Sequence, residues 1–99
     1  AATSNGSRGV FGGGSTVSNT IDYITIATLS NAIDFGNLTG DLWRLAATSD
    51  GSRGVFGGGL LSGGITNTIN YITIATAGNA FDFGDLTLAR QYLAATSGG

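Results

Sequence analysis

An internal repeat is the feature that most constrains this sequence. Residues 7–14 (SRGVFGGG) return at 52–59, and residues 19–28 (NTIDYITIAT) return at 67–76 with one change. The offsets of 45 and 48 residues place a three-residue insertion in the second copy, at 60–66. Outside it, 30 of 41 aligned positions are identical. A repeat of this length indicates supersecondary units that gain stability by stacking on one another.

The repeat also gives the domain organisation. The first unit is residues 1–45, the second is 46–93, and the letters AATS that open both return at residue 94. Residues 94–99 are therefore interpreted as the start of a third unit, a surplus strand of the innermost type. Because the chain begins with Ala, we expect a processed chain or a fragment of something longer.

Each unit predicts four short strands. The first consists of small residues and ends at Asn5-Gly6 or Asp50-Gly51, dipeptides that favour a tight hairpin turn. The second ends in glycines, and the third is rich in Ile, Tyr and Thr, which fit a pleated surface. The four strands are expected at 45–49, 8–13 with 53–58, 21–28 with 69–76, and 32–38 with 80–86.

The third strand indicates a sheet that is covered on both sides. Ile21 and Tyr23 alternate with Ile24 and Ile26, so both faces carry large side chains. A helix over residues 86–94 is the main alternative reading for the end of the unit. Gly40 and Asp41 interrupt the equivalent stretch of the first copy, so a strand or loop is favoured there.

The composition excludes several kinds of chemistry. The chain has no Cys, His, Met, Pro, Lys or Glu, and its four Arg and six Asp give a formal charge of -2. Zinc sites, disulfides and thiol or imidazole catalysis are thereby excluded, and no cofactor or metal is expected. A Walker-type loop needs Lys, and four Arg form no basic stripe for phosphates, so no nucleic-acid partner is expected either.

Hydropathy indicates a soluble chain without a membrane partner. No apolar run approaches the roughly 20 residues needed to span a bilayer. The start of the chain also lacks the charged and then apolar pattern of a signal peptide.

These patterns predict an all-β fold made of β-propeller blades, with two four-stranded blades per chain. Small residues suit the innermost strand of such a blade, where blades converge on a channel. Two blades cannot close a ring and leave an unpaired end on each side, so ring closure by homo-oligomerisation is predicted. A trimer with six blades is favoured, and a tetramer with eight is the alternative.

The order of these elements resembles a kelch repeat. A strand and turn lead to Val55-Phe56-Gly57-Gly58, followed by a loop, a strand with Tyr at 69–74, Asn79 and a last strand; Phe35 and Phe83 stand where kelch repeats carry Trp. The segments RGVFGGG, IDYITIAT, FDFGDLT and LAR resemble tandem repeats of bacteriophage tail and virion-associated proteins. That resemblance implies a structural or receptor-binding role on a virion, with a host-surface glycan or protein as partner.

A carbohydrate-binding function is the alternative. Two-repeat bacterial lectins that trimerise into six-bladed propellers are similar in plan. Where the copies disagree, Trp43, Arg44 and Tyr92 could stack on a sugar ring, since aromatic residues and Arg dominate binding hot spots. The same three residues could instead pack between blades.

A second set of residues recurs in both copies. Arg8 and Arg53 stand beside the turn, while Asp34 and Asp82 stand in the fourth strand. They predict either an inter-blade Arg–carboxylate pair that fixes the register or a ligand-binding array. The Asp, Arg, Ser and Tyr residues show no catalytic constellation, so a non-enzymatic protein is expected.

Overall fold

The structure is a computed structural model that describes residues 1–14 and 18–97. This part of the chain forms two four-stranded antiparallel sheets and one short hairpin, which confirms the all-β prediction. The first sheet contains β1 (Ala2–Ser4), β2 (Arg8–Gly12), β3 (Thr20–Thr25) and β4 (Ile33–Asn37), in that order.

The second repeat builds the second sheet with the same topology. Its strands are β5 (Ala46–Ser49), β6 (Arg53–Gly57), β7 (Leu60–Leu61), β8 (Gly64–Ile65), β9 (Thr68–Thr73) and β10 (Phe81–Asp85). The order β5-β6-β9-β10 repeats that of the first sheet, and β7 pairs with β8 in a separate hairpin. The longer connection of the second copy, residues 60–66, therefore contains a hairpin of its own and leaves the order of the four-stranded sheet unchanged.

The turn between the first two strands of each sheet follows the predicted dipeptides. Gly6 and Gly51 both have a φ of 93°, a left-handed conformation that glycine adopts without strain. In the first turn, the side-chain oxygen of Asn5 accepts hydrogen bonds from the backbone N–H groups of Ser7 and Arg8, at 2.9 and 2.8 Å. Asp50 has the same role in the second turn.

The two sheets pack on each other through opposite faces of the repeat. The inner face of the first sheet carries Val10, Ile21 and Tyr23, together with Phe35 at a break in the β3–β4 register. The inner face of the second sheet carries Phe56, Asn70, Ile72 and Ile74, which correspond to residues on the other side of the first sheet.

The hydrophobic core lies between these inner faces. Val10, Ile21, Phe56 and Ile74 are all fully buried in it. Gly12 lets the sheets approach closely, because a Cβ atom at this position would lie 2.9 Å from the ring of Phe56. The packing of one sheet on the next is thus the main source of hydrophobic stabilisation in the chain.

The end of the second repeat is a loop. Residues 86–93 contain no helix, so the alternative helical reading of residues 86–94 is wrong over that stretch. Residues 94–97 follow without strand pairing in this single chain and lie beside the second sheet, where Ala94 and Ser97 line crevices next to Thr48 and Val55. Residues 98 and 99, also part of the predicted surplus strand, lie outside the described residues.

Candidate functional site

Arg8 joins the two sheets through a backbone carbonyl and lies over an aromatic ring of its own sheet. Its guanidinium lies 4.3 Å from the centre of the Tyr23 ring, and its Nη1 donates a hydrogen bond of 3.1 Å to the carbonyl oxygen of Ile74 in the second repeat. The backbone carbonyl therefore takes the place of the expected carboxylate. Arg53 repeats only the first half of this arrangement, with its guanidinium 4.7 Å from the centre of the Tyr71 ring.

The two predicted aspartates lie away from these guanidinium groups. Asp34 is opposite Asp22 in the β3–β4 ladder, and Asp82 is opposite Asn70 in the β9–β10 ladder. The side chains of Asp34 and Asp82 are exposed. The structure thus brings Arg8 to the junction of the sheets and leaves the aspartates at solvent-facing positions.

Trp43, Arg44 and Tyr92 come together in the structure. The Arg44 guanidinium lies 4.8 Å from the Trp43 ring centre and 4.6 Å from the Tyr92 ring centre. It also donates a 3.2 Å hydrogen bond to the Gln91 side chain, and the Tyr92 N–H donates one of 3.0 Å to the Arg44 carbonyl. This arginine-aromatic cluster ties the ends of both repeats together.

The cluster has a repeated backbone geometry. Arg44 and Tyr92 are equivalent positions, and they have φ values of 58° and 55°, which non-glycine residues adopt at a cost. The residue before each of these positions differs between the copies, since Trp43 corresponds to Gln91. Gln91 was not predicted as part of the site, and only the disagreement between the copies pointed to it.

The cluster combines exposed and buried groups. Tyr92 is 72% exposed, while the Trp43 Nε1 atom is buried and finds no acceptor among the described residues. The guanidinium covers one face of each aromatic ring. A sugar would therefore contact the free face of Tyr92 or displace Arg44.

The inserted hairpin covers the first repeat beside this cluster. Leu60 and Trp43 exchange backbone hydrogen bonds of 2.7 and 3.2 Å, and Leu61 lies over Gly40. Leu42 is buried in the same region, whereas its equivalent Arg90 is exposed. The inserted hairpin of the second repeat thus forms a contact with the first repeat.

The glycine runs serve the chain's own backbone. Gly13 has a φ of 74° and its N–H donates to the Thr20 carbonyl at 3.1 Å, while the N–H groups of Gly58 and Gly59 donate to Thr68 and Arg90 at 3.0 and 2.8 Å. These donors are already used. They leave no nest of free N–H groups for a phosphate at these positions.

Two sheet faces lie opposite the core. The open face of the first sheet carries Phe11, Asp22, Ile24 and Ile26; the open face of the second sheet carries Val55, Ile69, Tyr71 and Phe83. Phe11, Ile26 and Phe83 are 48%, 54% and 52% exposed. The bulk on both faces of the third strand predicted these surfaces only in general, because the sequence does not say which face of each sheet is buried.

Comparison with known proteins finds no family model that matches the chain and no curated protein that matches it. In the part of the chain that the structure describes, no helix is long and apolar enough to cross a membrane, and no three His, Cys, Asp or Glu residues group into a metal-binding cluster.

Proposed function

We propose that this chain is a two-blade unit of a β-propeller that acts without catalysis, as a structural and binding module of bacteriophage virion or tail-fibre type. The observation that carries the proposal is the direction of sheet packing. One face of the first sheet packs on the opposite face of the second, so the same step can be repeated by further sheets. Such packing generates a closed ring when the rotation from each sheet to the next adds up to one full turn.

Closure of the ring requires several copies of the chain. Each chain supplies two sheets, and propellers contain about four to eight blades. Three chains give six blades, which is the favoured assembly, and four chains give eight. The module then presents the same surface several times around one axis.

Repeated display is the basis of the binding function. Tyr92 of the arginine-aromatic cluster is exposed, so a ring would present several copies of this residue. Multivalent contact raises the overall affinity for a surface even when each site binds weakly. A host-surface glycan or protein is the partner class that the phage-repeat resemblance implies.

A lectin function is the second candidate, and the exposed ring of Tyr92 beside Arg44 and Gln91 favours it. An aromatic face with neighbouring hydrogen-bonding groups is suited to a sugar. The stacking of Arg44 on both rings argues for a structural role of the same residues. A glycan array with the assembled protein distinguishes the two functions.

The experiment combines solution mass with surface binding. Light scattering is expected to give about three times the chain mass of 9.9 kDa. The assembled protein should then bind host cells, and Tyr92→Ala should weaken that binding without changing the mass. A compact stable monomer would contradict the ring, and equal binding of Tyr92→Ala would remove the arginine-aromatic cluster from the binding surface.

A further inference from the structure

Three exposed apolar residues of the two open faces have buried counterparts at the junction within the chain. Phe11 is 48% exposed and its equivalent Phe56 is fully buried; Ile26 is 54% exposed and Ile74 is fully buried. On the other open face, Phe83 is 52% exposed and its equivalent Phe35 is 3% exposed. The open faces therefore carry the side chains of an interface whose partner is missing.

We propose that the open face of the second sheet of one copy binds the open face of the first sheet of the next copy. This junction between chains is built from the positions equivalent to those that form the junction within the chain. The inference rests on the proposed propeller function and specifies its assembly: the partner is a second copy of the same chain, and the contact is head to tail.

The shapes of the two open faces match. Within the chain, Phe56 packs on Gly12, and the equivalent pair between copies is Phe11 on Gly57. A Cβ atom at Gly57 would meet only Leu86, at 3.9 Å, so space for an aromatic ring is present.

A second glycine shows the same match. At Gly36, an added Cβ would collide with the Gly78 carbonyl across the junction. At the equivalent Gly84, no atom lies within 4 Å. In the proposed junction, the backbone of the next copy near Ser30 fills this space.

The polar groups of the open faces also match. Arg53 holds the same pose over Tyr71 that Arg8 holds over Tyr23, so its guanidinium is placed to donate to the Ile26 carbonyl of the next copy, as Arg8 donates to Ile74.

Asn37 at the end of β4 makes two hydrogen bonds across the junction. Within the chain, the Asn37 N–H donates to the Asn79 side chain at 3.0 Å, and the Ala80 N–H donates to the Asn37 carbonyl at 2.8 Å. Between copies, Asp85 would take the place of Asn37, and it would contact Asn31 and Ala32 of the next chain.

A substitution at one buried hydrogen-bonded pair makes the two junctions differ in charge. Asn70 accepts a hydrogen bond from the Thr39 hydroxyl inside the chain, and the equivalent pair between copies is Asp22 with Thr87. The hydroxyl of Thr87 can donate to a carboxylate as well as to an amide oxygen. Burial of the Asp22 charge costs free energy, so the junction between chains is weaker than the one within.

The match holds only between different faces. Phe11 stands on the first sheet and the space at Gly57 stands on the second, so neither open face fits a copy of itself. A heterologous contact of this kind forms closed rings or open polymers, whereas a contact between like faces stops at a dimer.

The test uses full-length chains with one face blocked. Ile26→Lys places a charge on the open face of the first sheet, and Phe83→Lys places one on the open face of the second. Each variant alone should sediment as a folded monomer of 9.9 kDa. An equimolar mixture should form a dimer of about twice that mass, because one intact face of each kind remains.

Ile65→Lys is the matched control, since Ile65 is 49% exposed but lies in the inserted hairpin, and it should assemble like the unmodified chain. Circular dichroism checks that each variant is folded. The pairing is overturned if each variant, measured by itself, keeps the assembled mass of the unmodified chain. It is also overturned if both variants are folded but their mixture stays monomeric. An unmodified chain that polymerises without closing would contradict the proposed ring but support the pairing of faces.

Discussion

Asp22 and Asn70 occupy the same position of two nearly identical strands, yet only Asn70 is fully buried. Asn70 faces the core between the sheets, while Asp22 lies on an open face directly opposite Asp34. The repeat therefore uses an uncharged residue at the junction that is always formed and a charged one on the face that is free in the single chain.

Replacing each of these two side chains by the other should change the free energy of unfolding by unequal amounts. Asn70→Asp introduces a charge at a buried position and should lower the free energy of unfolding by about 3 kcal/mol. Asp22→Asn removes a like charge opposite Asp34 and should raise it by about 0.5 kcal/mol. Urea denaturation of both variants measures the difference. Equal effects would show that the two positions have similar surroundings.

Gly12→Ala and Gly57→Ala form a second matched pair. A methyl group at Gly12 collides with Phe56, so Gly12→Ala should cost about 1–3 kcal/mol of stability. Gly57→Ala should change the stability of the chain by less than about 0.5 kcal/mol. It should nevertheless weaken self-association, which sedimentation measures over a range of concentrations. Unchanged association would argue against the packing of Phe11 on Gly57.

Arg44 can be tested for its stacking and its backbone separately. Arg44→Ala removes both ring contacts and should cost about 1 kcal/mol. Arg44→Gly also removes them but adopts a φ of 58° without strain, so it should be more stable than the Ala variant by a few tenths of a kcal/mol or more. Thermal melting compares them, with Arg90→Ala as an exposed control. A less stable Gly variant would contradict the strain.

Low pH should reduce the stability that Asp50 contributes to its turn, whereas its counterpart Asn5 does not titrate. The backbone N–H groups of Arg53 and Ser52 donate to the carboxylate and hold the pKa of Asp50 below its ordinary value of 3.8. This contribution to stability is present above that value and is lost as the pH falls through the lowered pKa. Asp50→Asn should therefore gain stability relative to the unmodified chain below about pH 4. A constant difference between the two proteins from pH 7 to pH 2 would contradict it.

The two ends of the sequence should be interchangeable in the proposed assembly. Within the chain, β1 contacts β5, and the Ser49 hydroxyl donates to the Ser4 carbonyl at 2.6 Å. Residues 94–97 have the sequence of residues 1–4 and lie beside Thr48, where β1 of the next copy would come. Deletion of either segment should leave assembly intact, and deletion of both should weaken it. Light scattering of the three variants measures this.

The sequence predicted the local features of the fold well because they depend on neighbouring residues. Asn5-Gly6 and Asp50-Gly51 specified the turns, and the alternation at Ile21 and Tyr23 specified a strand. The packing direction could not be predicted, since Ile24 and Ile72 have the same neighbours in sequence and differ only in whether another sheet lies above them. The acceptor of Arg8 is a backbone carbonyl, and a residue pattern does not identify such a partner.

The inserted hairpin distinguishes junctions that are otherwise copies of each other. Leu60 and Leu61 reach across to Trp43 and Gly40 of the same chain. In an assembly built on the proposed pairing of faces, the stronger junctions within chains would therefore alternate with weaker junctions between chains. Dilution should separate the assembly at the junctions between chains and release intact two-sheet subunits. These subunits can exchange between rings without unfolding.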